Sequence, residues 1–244
     1  MTTLDVTRDR ARVPNRTLGV VRMQLINRQT YIWIPLIILG GAFALTLAIY
    51  AILQNAGIDG PKYGGGGQAP LWYFMVVGIQ ALTLTFPFSQ AMSVTRREFY
   101  LGTLLTAALT SAILAGISVI GGLIEMATDG WGMNGYFFGL PWIWEAGPGG
   151  AFLLNFVAAM LFFVIGFWAA TIYKRFGAVA LTIVLVGIGV LLVAGLWLVG
   201  RMDAWAAVFG WFGSVGVVGL SLWGGLLGAV LAGIAFLTLR RAIP

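Results

Sequence analysis

The chain has 244 residues, 60% of them apolar and only 9% charged, far below the roughly 25% charge of an ordinary soluble domain. It has a net charge of +6 and neither Cys nor His. These figures exclude disulfides, thiolate metal sites and imidazole acid–base chemistry, and leave no room for a soluble catalytic domain.

In chain order, residues 1–15 are polar and basic and are expected to form a disordered cytoplasmic tail. No early apolar run marks a cleaved signal peptide. Residues 16–30, "RTLGVVRMQLINRQT", place Leu18, Val21 and Leu25 at i, i+3, i+7 spacing, which predicts an amphipathic helix lying on the inner membrane surface. Six apolar windows follow within residues 31–244: Tyr31 to Leu53, Leu71 to Ala91, Phe99 to Ile124, Ala151 to Tyr173, Ala178 to Val199 and Val215 to Leu239. Each holds about 20 residues, enough to cross a ~30 Å hydrocarbon core as a helix. The fold class expected is therefore all-α: a polytopic membrane protein with six transmembrane helices.

Charge orients the spans. With the N-terminus inside, twelve basic residues fall in inner segments, against Lys62 and Arg201 outside. Such a bias places both termini in the cytoplasm, so the net charge reflects topology rather than nucleic-acid binding. Among the outer connections, Gly57 to Pro70 reads as a flexible Gly/Pro linker. Gly130 to Gly150 is aromatic and broken by Gly and Pro, with Trp131, Tyr136, Trp142 and Trp144 suited to the bilayer interface. Arg201 to Ser214 predicts a short outer helix with Asp203 as N-cap. "GWGMNG", Gly130 to Gly135, matches G-x-G-x-x-G only formally, because no strand precedes it.

The stretch "SVTRREFYLGT", Ser93 to Thr103, joins the second and third windows. Thr95 and Glu98 have capping-box spacing, so a helix should start at Arg96. Arg96 and Arg97 then sit in a first turn, where the helix dipole favours anions. The positive-inside rule explains their sign, and a partner surface would explain their pairing.

This stretch resembles the segment joining the second and third spans of ABC-2-type transporter permeases, in Ser93, Thr95, Arg96, Arg97, Phe99, Tyr100 and Gly102. The long aromatic connection from Gly130 to Gly150 departs from that family. The resemblance implies the membrane subunit of a bacterial exporter in the cytoplasmic membrane. Such a subunit pairs as a homo- or heterodimer and docks a separate nucleotide-binding ATPase, which carries ATP and Mg. This chain would bind no cofactor or metal and would not be an enzyme. Ser93, Thr95, Arg96, Arg97, Glu98, Phe99 and Tyr100 would form the ATPase-coupling element, with Arg22 and Arg28 beside it.

The residues themselves point the same way on energy. No ionisable group lies well inside a span, as ion-coupled transport usually requires, and no phosphate loop is present. Gln80, Thr83, Thr106, Thr110 and Asn155, with Thr103, are candidates for lining a translocation path, although such groups more often bond within their own helix. Mostly uncharged spans suit an amphipathic or lipid-like cargo. Two other classes share this topology. A membrane-embedded enzyme would have to work with Glu125, Asp129 or Glu145, and a channel or scaffold would need no ATPase.

Overall fold

A computed structural model describes residues 16–240; the expected tail and Arg241 lie outside them. The protein is all-α apart from one two-residue strand pair. Five helical segments are long and apolar enough to span a membrane, so this is a multi-pass membrane protein.

Helix α1, Arg16–Ile26, precedes α2, Ile34–Asn55, which is entered through a π-helical turn at Gln29–Trp33. Helix α3, Ala69–Gln80, passes through a second π turn, Ala81–Thr85, into α4, Phe86–Ala91. That turn absorbs Pro87, whose missing N–H and ring cannot be fitted into a regular helix. Helix α5 runs Arg96–Ala127, α6 is the single turn Pro141–Trp144, α7 spans Gly147–Arg201 and α8 spans Trp205–Leu239.

The last two are each interrupted at a glycine. Gly177 has φ 84°, ψ 178° and divides α7 into residues 147–176 and 178–201. Gly216, at φ 60°, ψ −176°, separates a short leading helix from the rest of α8. Positive φ costs glycine little and other residues more, so helices break there. The leading helix lacks the expected cap. Asp203 is itself left-handed, at φ 47°, and Ala204 stands at the N-cap position without a side-chain bond.

Residues 147–176 and the second part of α8 run side by side in the same direction. Val217 lies beside Gly150, Val157 beside Gly224 and Leu161 beside Gly228. The small-residue ridge of Gly224 and Gly228 therefore packs within the subunit. Closer still is the crossing of α3 with α7. A Cβ on Gly166 would run into the Met75 carbonyl, and one on Gly78 into the Phe163 carbonyl. Around this crossing lie Phe74, Val77, Phe163, Val164 and Phe167, all buried. Residues 178–201, by contrast, are exposed along nearly their whole length.

One end of the bundle carries Arg16, Arg22, Arg96, Arg97, Arg175 and Arg240 and is called the basic end below. The other is closed by an ordered cap. Strand β1, Lys62–Tyr63, pairs in parallel with β2, Gly135–Tyr136, and Gly66–Gln68 forms a 3₁₀ turn. The connection from Gly57 to Pro70, which its composition predicts to be a flexible linker, is ordered at its middle, where Lys62 and Tyr63 pair with β2 and Gly64 N–H donates to Tyr136 O.

Candidate functional site

The basic end is built on the turn between α4 and α5. Met92 N–H donates to the Phe88 and Ser89 carbonyls, Ser93 N–H to Gln90 O at 3.0 Å and Val94 N–H to Ser89 O at 3.1 Å. Ser93 takes φ 58° to allow this reversal. Gln90 Nε2 closes the loop by donating to Val94 O at 3.0 Å.

The capping box forms as its spacing predicts. Glu98 N–H donates to Thr95 Oγ1 at 3.3 Å, and Thr95 N–H donates to Glu98 Oε2 at 3.0 Å. The Thr95 hydroxyl also donates to Glu98 Oε2, at 2.8 Å. The turn is therefore closed by hydrogen bonds on both sides, and α5 starts at Arg96.

The residues expected to form one coupling surface divide into three groups. Phe99 and Tyr100 are buried at 0% and 8% exposure, so they cannot touch a partner directly. Phe99 packs on Phe86, with ring centroids 5.1 Å apart. The Tyr100 hydroxyl donates to Ala232 O at 2.7 Å and its ring lies against Phe236. They anchor the turn to the bundle.

Arg96 has an internal partner. Its Nη1 donates to Arg240 O at 2.8 Å and to Leu239 O at 3.4 Å. It caps the last carbonyls of α8, where a cation suits the helix dipole. That supplies the local explanation its place in a first turn otherwise lacks. Ser93, Thr95 and Arg97 remain exposed, with Glu98 half-buried.

Helix α1 lies beside this turn. A Cβ on Gly102 would stand 2.6 Å from Val20 Cβ and 2.9 Å from Thr17 O, so glycine is needed for α1 to approach α5. Gln24 Nε2 donates to Thr103 Oγ1 at 2.8 Å. Val20, Val21 and Gln24 are the buried residues of α1, while Leu18 is 47% exposed. The helix is thus turned relative to its hydrophobic spacing, because it docks on α5 through Val20 and Gln24. Between α1 and the turn lies a cavity of about 500 Å³, lined by Arg16, Arg22, Met23, Met92, Ser93 and Val94 among others. Arg22 borders it. Arg28 is exposed at the junction with α2 and is not among the lining residues.

The candidate path residues are not brought together as an open path. Thr106 and Thr110 are buried at 0% and 5% and bond to carbonyls of their own helix, Gly102 O and Thr106 O, each at 3.0 Å. Thr83 does the same to Ile79 O at 2.9 Å, and Asn155 to Ala151 O at 2.8 Å. Gln80 is half-buried in α3. The cavity touching Thr110 holds only about 10 Å³, the room of a single water.

At the opposite end, Glu125 is a residue whose role the sequence did not reveal. Its carboxylate is fully buried and accepts from four N–H groups: Phe137 at 2.9 Å, Phe138 at 3.2 Å, Gly139 at 2.7 Å and the Trp131 indole at 3.0 Å. Left-handed residues at Asp129, Gly130, Trp131, Gly132 and Asn134 wind the chain back to it. Phe43 of α2 packs on Trp131, Phe137 and Phe138, and Tyr50 Oη donates to Tyr136 O at 3.0 Å. Lys62 Nζ donates to Met133 O at 2.9 Å. Trp131 and Trp144 are therefore bonded within the cap, Trp144 Nε1 to Phe138 O at 3.1 Å. Trp142 is 50% exposed. The signal for this arrangement was an acid at a span end facing a Gly-rich aromatic loop, where backbone N–H groups are free to converge.

No protein-family model, curated protein or solved structure matches the chain.

Proposed function

We propose that this chain is the membrane-spanning permease subunit of an ABC-2-type transporter in the bacterial cytoplasmic membrane. Two such subunits pair and dock a separate nucleotide-binding ATPase at the basic end, exporting an amphipathic or lipid-like substrate. The observation that carries this reading is the hydrogen-bonded, capped turn carrying exposed Arg97, set beside a basic cavity formed with α1. A turn that transmits force has to be stiff, and its anchors Phe99 and Tyr100 run directly into the bundle.

The six-span topology belongs to this reading. Residue 175 lies at the basic end and residue 217 beside Gly150 at the cap end. Helix 178–201, about 36 Å long at 1.5 Å per residue, supplies the crossing between them. Both termini then fall on the basic, cytoplasmic side. An enzyme built on Glu125 is disfavoured, since four N–H groups already occupy its oxygens.

Co-purification tests the proposal. Tagged full-length chain is expected to bring down a nucleotide-binding subunit. Arg97→Glu should abolish that complex and its transport-linked ATPase activity, while Arg201→Glu leaves both intact. An intact complex with Arg97→Glu would overturn the docking assignment.

A further inference from the structure

A second basic cavity lies at the same end, where residues 147–176 and α8 terminate side by side. It encloses about 470 Å³ and is lined by Arg175, Ile234, Leu237, Thr238 and Arg240. Its lining joins two arginines to two apolar side chains, Ile234 and Leu237, which are 44% and 61% exposed on a helix long and apolar enough to span a membrane. Each guanidinium lies over an aromatic ring: Arg175 sits 4.6 Å from the Phe176 centroid and Arg240 5.9 Å from that of Phe236. Stacking of this kind orients the flat cation and leaves its N–H edges free for an acceptor.

Nothing in the described chain supplies that acceptor. Glu98 is the only described acid at the basic end, and its carboxylate is bonded to Thr95. The other described acids, Asp59, Glu125, Asp129, Glu145 and Asp203, belong to the cap or to the connections on its side. The Thr238 hydroxyl donates to Ile234 O at 2.8 Å, so recognition of an anion falls to the arginines.

We infer that this cavity binds the phosphodiester headgroup of an anionic phospholipid, with an acyl chain lying along Ile234 and Leu237. Guanidinium forks match phosphate oxygens two at a time. Basic pockets between membrane helices at headgroup depth bind anionic lipids through the same chemistry. The apolar wall decides between a lipid and an acidic protein segment: it is continuous with the exposed, hydrocarbon-facing side of α8. The inference rests on the membrane fold and does not depend on the ATPase.

The test uses purified full-length chain in neutral detergent, titrated with phosphatidylglycerol or phosphatidylcholine. Retained lipid is counted by native mass spectrometry. Wild-type protein should retain phosphatidylglycerol preferentially. Arg175→Gln/Arg240→Gln should lose that preference by roughly tenfold or more, each single substitution should lose part of it, and Arg201→Gln should lose none. Arg175→Lys/Arg240→Lys should retain more than the Gln pair. Equal retention by wild type and the Gln pair would overturn the inference. Displacement by millimolar inorganic phosphate or glycerol phosphate would mean a soluble-anion site and would overturn it too. So would a Gln pair that keeps its lipid but loses a co-purifying protein.

Discussion

At the cap end, Glu125 gives its oxygens to four N–H groups of the loop it holds. At the basic end, Arg16, Arg22 and Arg97 remain exposed. Both ends are ordered and both keep exposed charges, Asp59 and Asp129 among those at the cap, but only the cap buries a carboxylate and satisfies it from within. A buried carboxylate saturated by its own loop holds that loop closed, whereas exposed arginines beside a cavity are free to meet an anion. Arg96 marks the boundary, because it lies among the exposed arginines yet is bonded to the end of α8.

Breaking the cap should have the largest effect. Glu125→Ala strands three backbone N–H groups and an indole, and should destabilise the protein by on the order of 3–5 kcal/mol. Thermal unfolding in detergent would read the loss, with new protease cleavage between Gly130 and Gly139. A Tm unchanged from wild type would mean the cap does not depend on its carboxylate. At the basic end, Thr95→Ala removes half of the capping box and should cost about 1 kcal/mol, read as faster hydrogen exchange over Arg96–Tyr100.

The two neighbouring arginines should then separate. Arg96→Gln should weaken the C-terminal turn of α8 by roughly 0.5–1 kcal/mol, while Arg97→Gln should leave stability within about 0.5 kcal/mol of wild type. Equal effects would erase the distinction between an internal cap and an open docking residue. The smallest effect is expected from Gln24, whose Oε1 is buried without a partner among the described residues. Gln24→Leu removes both an unmet acceptor and a hydrogen bond, so Tm should change little. Thr103→Val leaves the Gln24 amide wholly unpaired and should lower stability more, by about 1–3 kcal/mol.

The parts of this structure that a sequence reader can find are those governed by local rules. The apolar windows, the capping box at Thr95 and Glu98, and the gap between the windows ending at Tyr173 and starting at Ala178 each follow from residues close in the chain. The helix ahead of the first span was also legible, but its buried face was not. Its orientation is set by Gly102, some eighty positions away, which allows Val20 to approach. Arg96 looked unexplained for the same reason, since the carbonyls that it caps belong to the last turn of the last helix. Phe99 and Tyr100 belong to the motif as letters, yet packing makes them anchors rather than contacts. The cap was hidden most deeply. Glycines and prolines from Gly57 to Pro70 read as slack chain, and remote partners, the strand Gly135–Tyr136 and the Met133 carbonyl, give them order.

Gly177 joins two long helices with no loop between them. A single-residue joint cannot act as a tether that pays out and takes up chain. A glycine at positive φ is free to turn about both of its backbone bonds, so residues 178–201 can be re-aimed while residues 147–176 stay fixed at the Gly78–Gly166 crossing. In mechanical terms, helix 178–201, exposed along nearly its whole length, is an arm on a swivel at Gly177, and the α3–α7 crossing is the mount that stays still.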